Sequence, residues 1–499
     1  MKNKHYSLVL FISLILFATD RSWGASSQAQ ADQTNMLKDS LVYIETSAYS
    51  YSSLQPWRHS DLSKRTGYGC AVGDYDVLTT AANVADAAFI TVRKFGQNEL
   101  IPAKVKVVDY ESNLCLLNLD RTKLLQPLRP ICFQETYNKG AQIDFYWLSK
   151  DNRIQSGRGY VDRAEVFRSK TSFAHFINYV IGNVSQGAGQ AHLFFQDDKA
   201  IGLGCWYDKS IKESGVIPAV VINQFLADAN QGDFAGFPMI GFNTAKLLDP
   251  ALRGWLQMPK TLKDGIYVSE VYTLGTGSDT LHQHDVILAI EGKPIDAYGR
   301  FEDEKYQKIS FEHLITSRSP GDKIALEVWR DGKKQLLNIE AKIFHVDDML
   351  IPYYEYDKQG EYIVVGGFIF QKLTRKYFEA WGNGWKGKVD PHLYHYYRDM
   401  AFKPDSERRN VVILSRVLPA QINLGYQNLK QIVVSKYNGM NIHSIKDILE
   451  ARKLNPEGKF EVIEFENNNP TVVLPRAQLA MSDSLIGQLY GIEKMQNIE

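Results

Sequence analysis

From residue 37 to residue 226 the chain is a succession of short apolar or alternating runs, cut at close intervals by Gly, Asp and Asn. Residues 40–46, 69–72, 77–80, 89–93, 103–108, 114–119 and 200–205 are such runs. Successive side chains of a strand face opposite sides, so runs of this length bounded by turn residues predict strands, and many in series predict a barrel or sandwich architecture. Residues 216–229 read as a helix, and Gln231, Gly232 and Asp233 close the block.

Two further blocks follow. The second, 234–344, has strands at 265–271 and 285–290, a helix at 311–317, a strand at 323–330 and, across an Asp331-Gly332 turn, a strand at 335–341. The third, from 350 onward, repeats this grammar more loosely, with a strand at 362–370 around Gly366 and Gly367, another at 431–438, a helix at 445–452 and a closing strand at 460–465. The two read as divergent copies of one module. A chain of 499 residues suits roughly three domains, and the predicted division is 1–31, 32–232, 233–345 and 346–499.

Charge narrows the function classes. The 57 basic side chains balance 57 acidic ones and 44% of residues are hydrophobic, which excludes a disordered tail, a supercharged nucleic-acid binder and a membrane-surface protein. Lys2 and Lys4 precede an apolar run at 7–18 that breaks at Asp20 and Arg21, the pattern of a cleavable signal peptide, with cleavage before either Ala25 or Asp32. The run falls short of the about 20 residues of a membrane span. The expectation is a protein of the periplasm or the exterior, with no stable membrane span. Cys70, Cys115, Cys132 and Cys205 each have apolar neighbours and form no C-x-x-C pair, which points to buried structural thiols and leaves their pairing open.

The residues at 78–84 (Leu78, Thr79, Thr80, Ala81, Ala82, Asn83, Val84) resemble the segment that carries the catalytic histidine in the HtrA/Deg family of serine proteases. Those at 109–117 resemble its aspartate segment, and 199–203 the strand after its nucleophile, in the same order and spacing. Residues 236–242 and 281–295 are similar to a PDZ domain, and the last third, including 418–426 and 481–485, resembles the second PDZ domain of plant-type Deg proteases. The resemblance implies a mainly β fold: a chymotrypsin-like double β-barrel followed by two PDZ (α+β) domains. It also implies a Ser-His-Asp triad, from which this chain departs. Ala82 stands at the histidine position and Asn113 at the aspartate position. Counting back from Gly202 puts Gly189 at the serine; counting forward from Ile181 puts the site near Ser185 or Gln186. A serine hydroxyl needs an adjacent base, and that base needs a carboxylate to fix its tautomer. Alanine accepts no proton and an amide offsets no imidazolium charge, so ordinary proteolysis is expected to be lost.

Other residues carry rival readings. Ser185 lies near His175 and His192, and a rearranged endopeptidase site would use it as nucleophile; the plain alternative is a surface loop. His282 with His284, and His392 with His395, resemble metal pairs, but zinc takes three or four ligands and no cluster completes either set, so no metal and no cofactor is expected. Aromatic and basic residues mingle at 372–409, among them Trp381, Trp385, Tyr394, Tyr396 and Tyr397. In a neutral exported chain that pattern reads as a packed insertion buttressing subunit contacts, not as a nucleic-acid surface. Met239, Ile240, Gly241 and Phe242 match the PDZ loop for a peptide carboxylate, with the N–H groups of Ile240, Gly241 and Phe242 turned toward one anion by the glycine's freedom, and Leu314 and Ile315 on the far wall. The function expected is an exported pseudoprotease of the HtrA/Deg type, a chaperone, scaffold or regulatory subunit that binds unfolded polypeptides or protein C-termini and assembles as a homo-oligomer, a trimer or a multiple of trimers.

Overall fold

The computed structural model describes residues 35–185, 187, 189–232, 234–454 and 456–498. The signal-peptide segment lies outside them, as do Gln186 and Ala188. The first twelve strands are β1 (Leu41–Ala48), β2 (Ser63–Ala71), β3 (Asp76–Thr79), β4 (Ala87–Lys94), β5 (Ile101–Asp109), β6 (Leu114–Leu119), β7 (Gln142–Leu148), β8 (Ile154–Arg168), β9 (His175–Gly182), β10 (Leu193–Gln196), β11 (Lys199–Asp208) and β12 (Glu213–Pro218). They close into two barrels, ordered β1-β2-β3-β6-β5-β4 and β10-β11-β12-β9-β8-β7. Read backwards, the second order repeats the first, so one six-stranded topology occurs twice. Val42, Ile44, Val77, Val92 and Leu117 fill the first barrel, and buried Phe145, Tyr179, Phe194 and Phe195 belong to the second.

Two sequence expectations change here. The helix foreseen from residue 216 starts at Ala219, because Val216 is still paired with Gly204 and Tyr179 in the sheet; Pro218, with no N–H to give, ends the strand and stands as N-cap of the helix Ala219–Ala229. Cys70, Cys115 and Cys205 are buried free thiols, but Cys132 is exposed. Its neighbours Ile131 and Phe133 both turn into the core, and in extended chain the residue between them points the other way.

The middle unit is built from β13 (Phe242–Ala245), β14 (Ile266–Val271), β15 (Val286–Ile290), β16 (Lys293–Pro294), β17 (Arg300–Asp303), β18 (Gln307–Ser310), β19 (Lys323–Arg330) and β20 (Lys333–Glu340). Its sheet runs β13-β14-β15-β19-β20, with β16 on β15, and β13 lies at an edge. The last unit has β21 (Tyr362–Val365), β22 (Phe368–Lys372), β23 (Val412–Val417), β24 (Ile432–Tyr437), β25 (Met440–Asn441), β26 (Phe460–Phe465), β27 (Val472–Pro475) and β28 (Gln496–Asn497). The path β22-β23-β24-β26-β27, with β25 on β24, reproduces the main sheet of the middle unit strand for strand, without a counterpart of the β17-β18 hairpin among the described residues. What differs is that β21 and then β28 are added outside β22. The single strand expected at 362–370 is therefore a hairpin: Val365 pairs with Phe368, and Gly366 and Gly367 turn the chain at φ +56° and +87°. Among the described residues no helix is long and apolar enough to cross a membrane.

Candidate functional site

Ala82 is the second residue of the helix Ala81–Val84, and Asn113 sits at the turn between β5 and β6 with φ +61°, a conformation Asn tolerates well. The fold brings them together. The Ala82 N–H donates to Asn113 Oδ1 at 2.9 Å and the Ala81 N–H to the Asn113 carbonyl at 3.1 Å. The amide thus holds backbone at a helix start, where the side chain of residue 82 is a methyl group. Asn83 points elsewhere, donating from Nδ2 to Thr79 Oγ1 at 2.9 Å.

At Gly189 the backbone N–H donates to His192 Nδ1 at 3.0 Å. His192 is buried and stacked on Trp147, with ring centroids 4.4 Å apart and planes 5° from parallel; Tyr68 meets it edge-on at 4.6 Å. Burial lowers its pKa to about 3, so the ring is neutral, and since Nδ1 accepts, the proton rests on Nε2, which has no partner among the described residues. Ser185 stands apart from this. Its Oγ accepts from the Arg158 N–H at 2.9 Å and its own N–H donates to the Arg158 carbonyl at 2.9 Å. His175 Nδ1 lies 4.0 Å from Glu312 Oε1. No hydrogen bond joins Ser185 to either histidine among the described residues. A small cavity of about 30 Å³ beside Asn113 is lined also by Asn178, Cys205 and Trp206. The Cys205 thiol donates to Asn178 Oδ1 at 3.2 Å, and burial pushes its pKa up to about 12.

The middle unit offers a larger space, a cavity of about 190 Å³ between β13 and the helix His313–Thr316. Met239, Ile240 and Phe242 line it, joined by Arg168 and His175 from the second barrel and Phe402 from the last unit. Here the expected donor set is corrected. The Gly241 N–H is already given to the Thr276 carbonyl at 2.9 Å, and that of Met239 to the Lys342 carbonyl at 2.8 Å. Peptide groups alternate in direction along extended chain, so Ile240 and Phe242 face their N–H groups the other way. Phe242 pairs with Val271 while Tyr272 donates to the Gly241 carbonyl at 2.8 Å, which leaves the Phe242 N–H on the open side of β13. Gly241 is also not in the left-handed region. Its need for glycine is steric: a Cβ there would meet the Leu274 carbonyl oxygen at 2.5 Å.

The last unit holds a carboxylate at the position that corresponds in strand register, although there the chain reverses in a turn of positive φ. Gly367 corresponds to Gly241, for the Leu418 N–H donates to its carbonyl at 2.7 Å as Tyr272 does to Gly241. Gly366 then corresponds to Ile240, and its N–H donates to Asp483 Oδ1 at 2.6 Å, from the C-terminal helix Arg476–Tyr490. Burial raises the Asp483 pKa, while the Gly366 bond pulls it the other way. The edge of β22, open in its counterpart β13, is covered by β21. Sequence reasoning foresees neither Asp483 nor Arg168 in these roles, since each reaches its loop from a distant part of the chain.

The histidine pairs have ordinary partners. His284 Nδ1 shares a hydrogen bond with the Tyr267 hydroxyl at 2.6 Å, His392 Nε2 with Glu466 at 2.7 Å and His395 Nδ1 with Asp399 at 2.8 Å. Among the described residues no group of three or more His, Cys, Asp or Glu is placed to hold a metal ion.

A PDZ-domain family model matches residues 351–497. Protease Do-like 4, mitochondrial, of Arabidopsis thaliana is 26% identical over 502 residues, spanning 98% of this chain and 90% of that protein. Protease Do-like 2, chloroplastic, of the same plant is 27% identical over 466 residues, spanning 90% and 73%. Among solved structures, the HtrA-type protease AlgW with decapeptide matches at 18% identity and TM-score 0.45, covering 63% of this chain and 99% of that one. A serine endoprotease from Yersinia pestis matches at 15% identity and TM-score 0.40, covering 63% and 98%. With relatives of this kind along nearly its whole length and a PDZ domain as its last unit, the chain is a homologue of the Do-like (Deg) proteases.

Proposed function

We propose that this protein is a protease-fold receptor for polypeptides, which binds chain ends on its middle PDZ-like unit and does not cut them. The observation that carries the reading is the pairing of Ala82 with Asn113 at 2.9 Å, an amide braced against backbone where imidazole and carboxylate would stand. Loss of one triad member costs about 10⁴ to 10⁶ in turnover. Recognition keeps its parts: β13 has an open edge for a guest strand, and Ile240 and Phe242, whose N–H groups are not taken up by the loop's backbone hydrogen bonds, line a cavity. The Asp483 carboxylate on Gly366, the counterpart of Ile240, favours an anion at that position.

The Lys2, Lys4 and apolar leader supports export to the periplasm or exterior, and the family resemblance supports a homo-oligomer built on trimers. The balance of 57 basic and 57 acidic side chains argues against a nucleic-acid partner. The rival reading is an endopeptidase acting through Ser185. Incubation of the purified protein with unfolded casein and with a fluorophosphonate probe separates the two. The expected result is intact casein and no labelled serine; loss of casein with label on Ser185 establishes the rival.

A further inference from the structure

We propose that Arg168, a residue of the second barrel, is the charged anchor for a polypeptide C-terminus seated on β13. This rests on the groove reading above and places part of the binding site outside the PDZ-like unit. The donor count motivates it. With the Met239 and Gly241 N–H groups given to Lys342 and Thr276, the loop retains two donors, those of Ile240 and Phe242, whereas a carboxylate offers about four lone-pair sites. A third donor has to come from elsewhere.

Arg168 is placed to supply it. It ends β8, is exposed, and lines the same cavity as Ile240 and Phe242. It has no acidic partner among the described residues. Its guanidinium lies 5.3 Å from the centre of the Tyr353 ring, a contact that orients the planar fork without neutralising it. The acidic group lining the cavity, Glu312, is engaged by His175 at 4.0 Å and Ser310 at 3.4 Å on the helix side. A cation near the loop and an anion on the helix side match a ligand with a terminal carboxylate and no acidic side chain near its end. In the last unit the N–H of Gly366, at the register position of Ile240 though in a turn of positive φ, holds a carboxylate at 2.6 Å. A bound chain end would thus tie the second barrel to the middle unit, because Arg168 also lines the small cavity beside Asn113.

The test uses the full-length protein and a fluorescein-labelled decapeptide pool with Val, Leu or Phe as last residue, prepared as the free acid and as the C-terminal amide. The expected result is tighter binding of the free acid. Arg168→Gln shrinks that preference about tenfold, as loss of one charge-assisted hydrogen bond does, and Arg168→Lys, which keeps the charge, restores part of it. The amide is insensitive to either change. An undiminished free-acid preference in Arg168→Gln overturns the assignment of Arg168 and leaves the groove standing. No free-acid preference in the unaltered protein overturns the groove reading itself, and the anchor with it.

Discussion

His192 shows a titratable ring spent wholly on packing. Its Nδ1 accepts the Gly189 N–H, and its ring lies flat on Trp147, so the imidazole is a packing element kept neutral by burial. Because its folded pKa is lowered to about 3 from an ordinary 6.5, the folded form binds fewer protons than the unfolded chain in between. Its contribution to stability is therefore complete above about pH 6.5 and is lost as pH falls toward about 3, at about 1.4 kcal/mol per pH unit. His313, lowered to about 4, acts in the same direction, while burial raises the Asp109 and Glu111 pKa values, which opposes it. A single substitution separates these effects. His192→Phe keeps the aromatic stack, and its loss of stability between pH 7 and pH 4.5, measured by denaturant unfolding, is expected to be smaller than that of the parent by about 2 to 3 kcal/mol. An equal loss in both proteins refutes the assignment. At this scale the sequence is only partly legible. Order and spacing set Ala82 beside Asn113, and a hydrogen bond joins them. Nothing in a run of Gly, Ala and Gln tells that the Gly189 N–H is tied to a histidine three residues on.

Among the elements, the paired glycines of the last unit teach most. A run such as Ile363, Val364, Val365, Phe368, Ile369 and Phe370 reads as one strand because all its members are apolar, whereas Gly366 and Gly367 at positive φ reverse it. Alternation along a strand is local; the two-residue reversal depends on which edge the returning strand meets. Strands 114–119, 323–330 and 460–465 carry turn residues at both ends, and there the sequence boundaries coincide with the observed ones. The fastening of the hairpin by Asp483 has a measurable signature. Removing the acceptor with Asp483→Ala is expected to cost about 1 to 3 kcal/mol and to raise hydrogen exchange at the Gly366 amide well above that at Ile369, which lies in the paired strand. Unchanged exchange at Gly366 shows that the bond does not hold the turn.

For the molecule as a whole, the units are joined by polar and aromatic contacts spread along the chain. Asp86, just past the helix that bears Ala82, donates its N–H to Asp357 Oδ1 at 2.7 Å and accepts the Asp357 N–H on its own carboxylate at 2.9 Å. Tyr110 hydrogen-bonds Asp357 and stacks on Tyr356 with centroids 4.1 Å apart. The aromatic insertion, expected to be packed and to buttress subunit contacts, packs within the chain: Trp385 on Phe378 at 5.2 Å and Tyr397 at 5.3 Å, and Phe402 on Tyr272 at 4.6 Å. Composition predicts that these rings are buried, but which surface they cover is decided by residues hundreds of positions away. Asp357→Ala is expected to leave the unfolding temperature of the barrels unchanged while speeding protease cleavage between residues 345 and 360. Equal cleavage rates in the two proteins would mean that this clasp is ornamental.

The hairpin that covers β22 has a consequence for competition. A segment tethered through a two-residue link confronts its docking edge at an effective concentration of millimolar order or higher, which a free chain end has to match to displace it. In the last unit that edge is in this sense permanently sated, whereas the edge of β13 in the middle unit carries no such strand among the described residues.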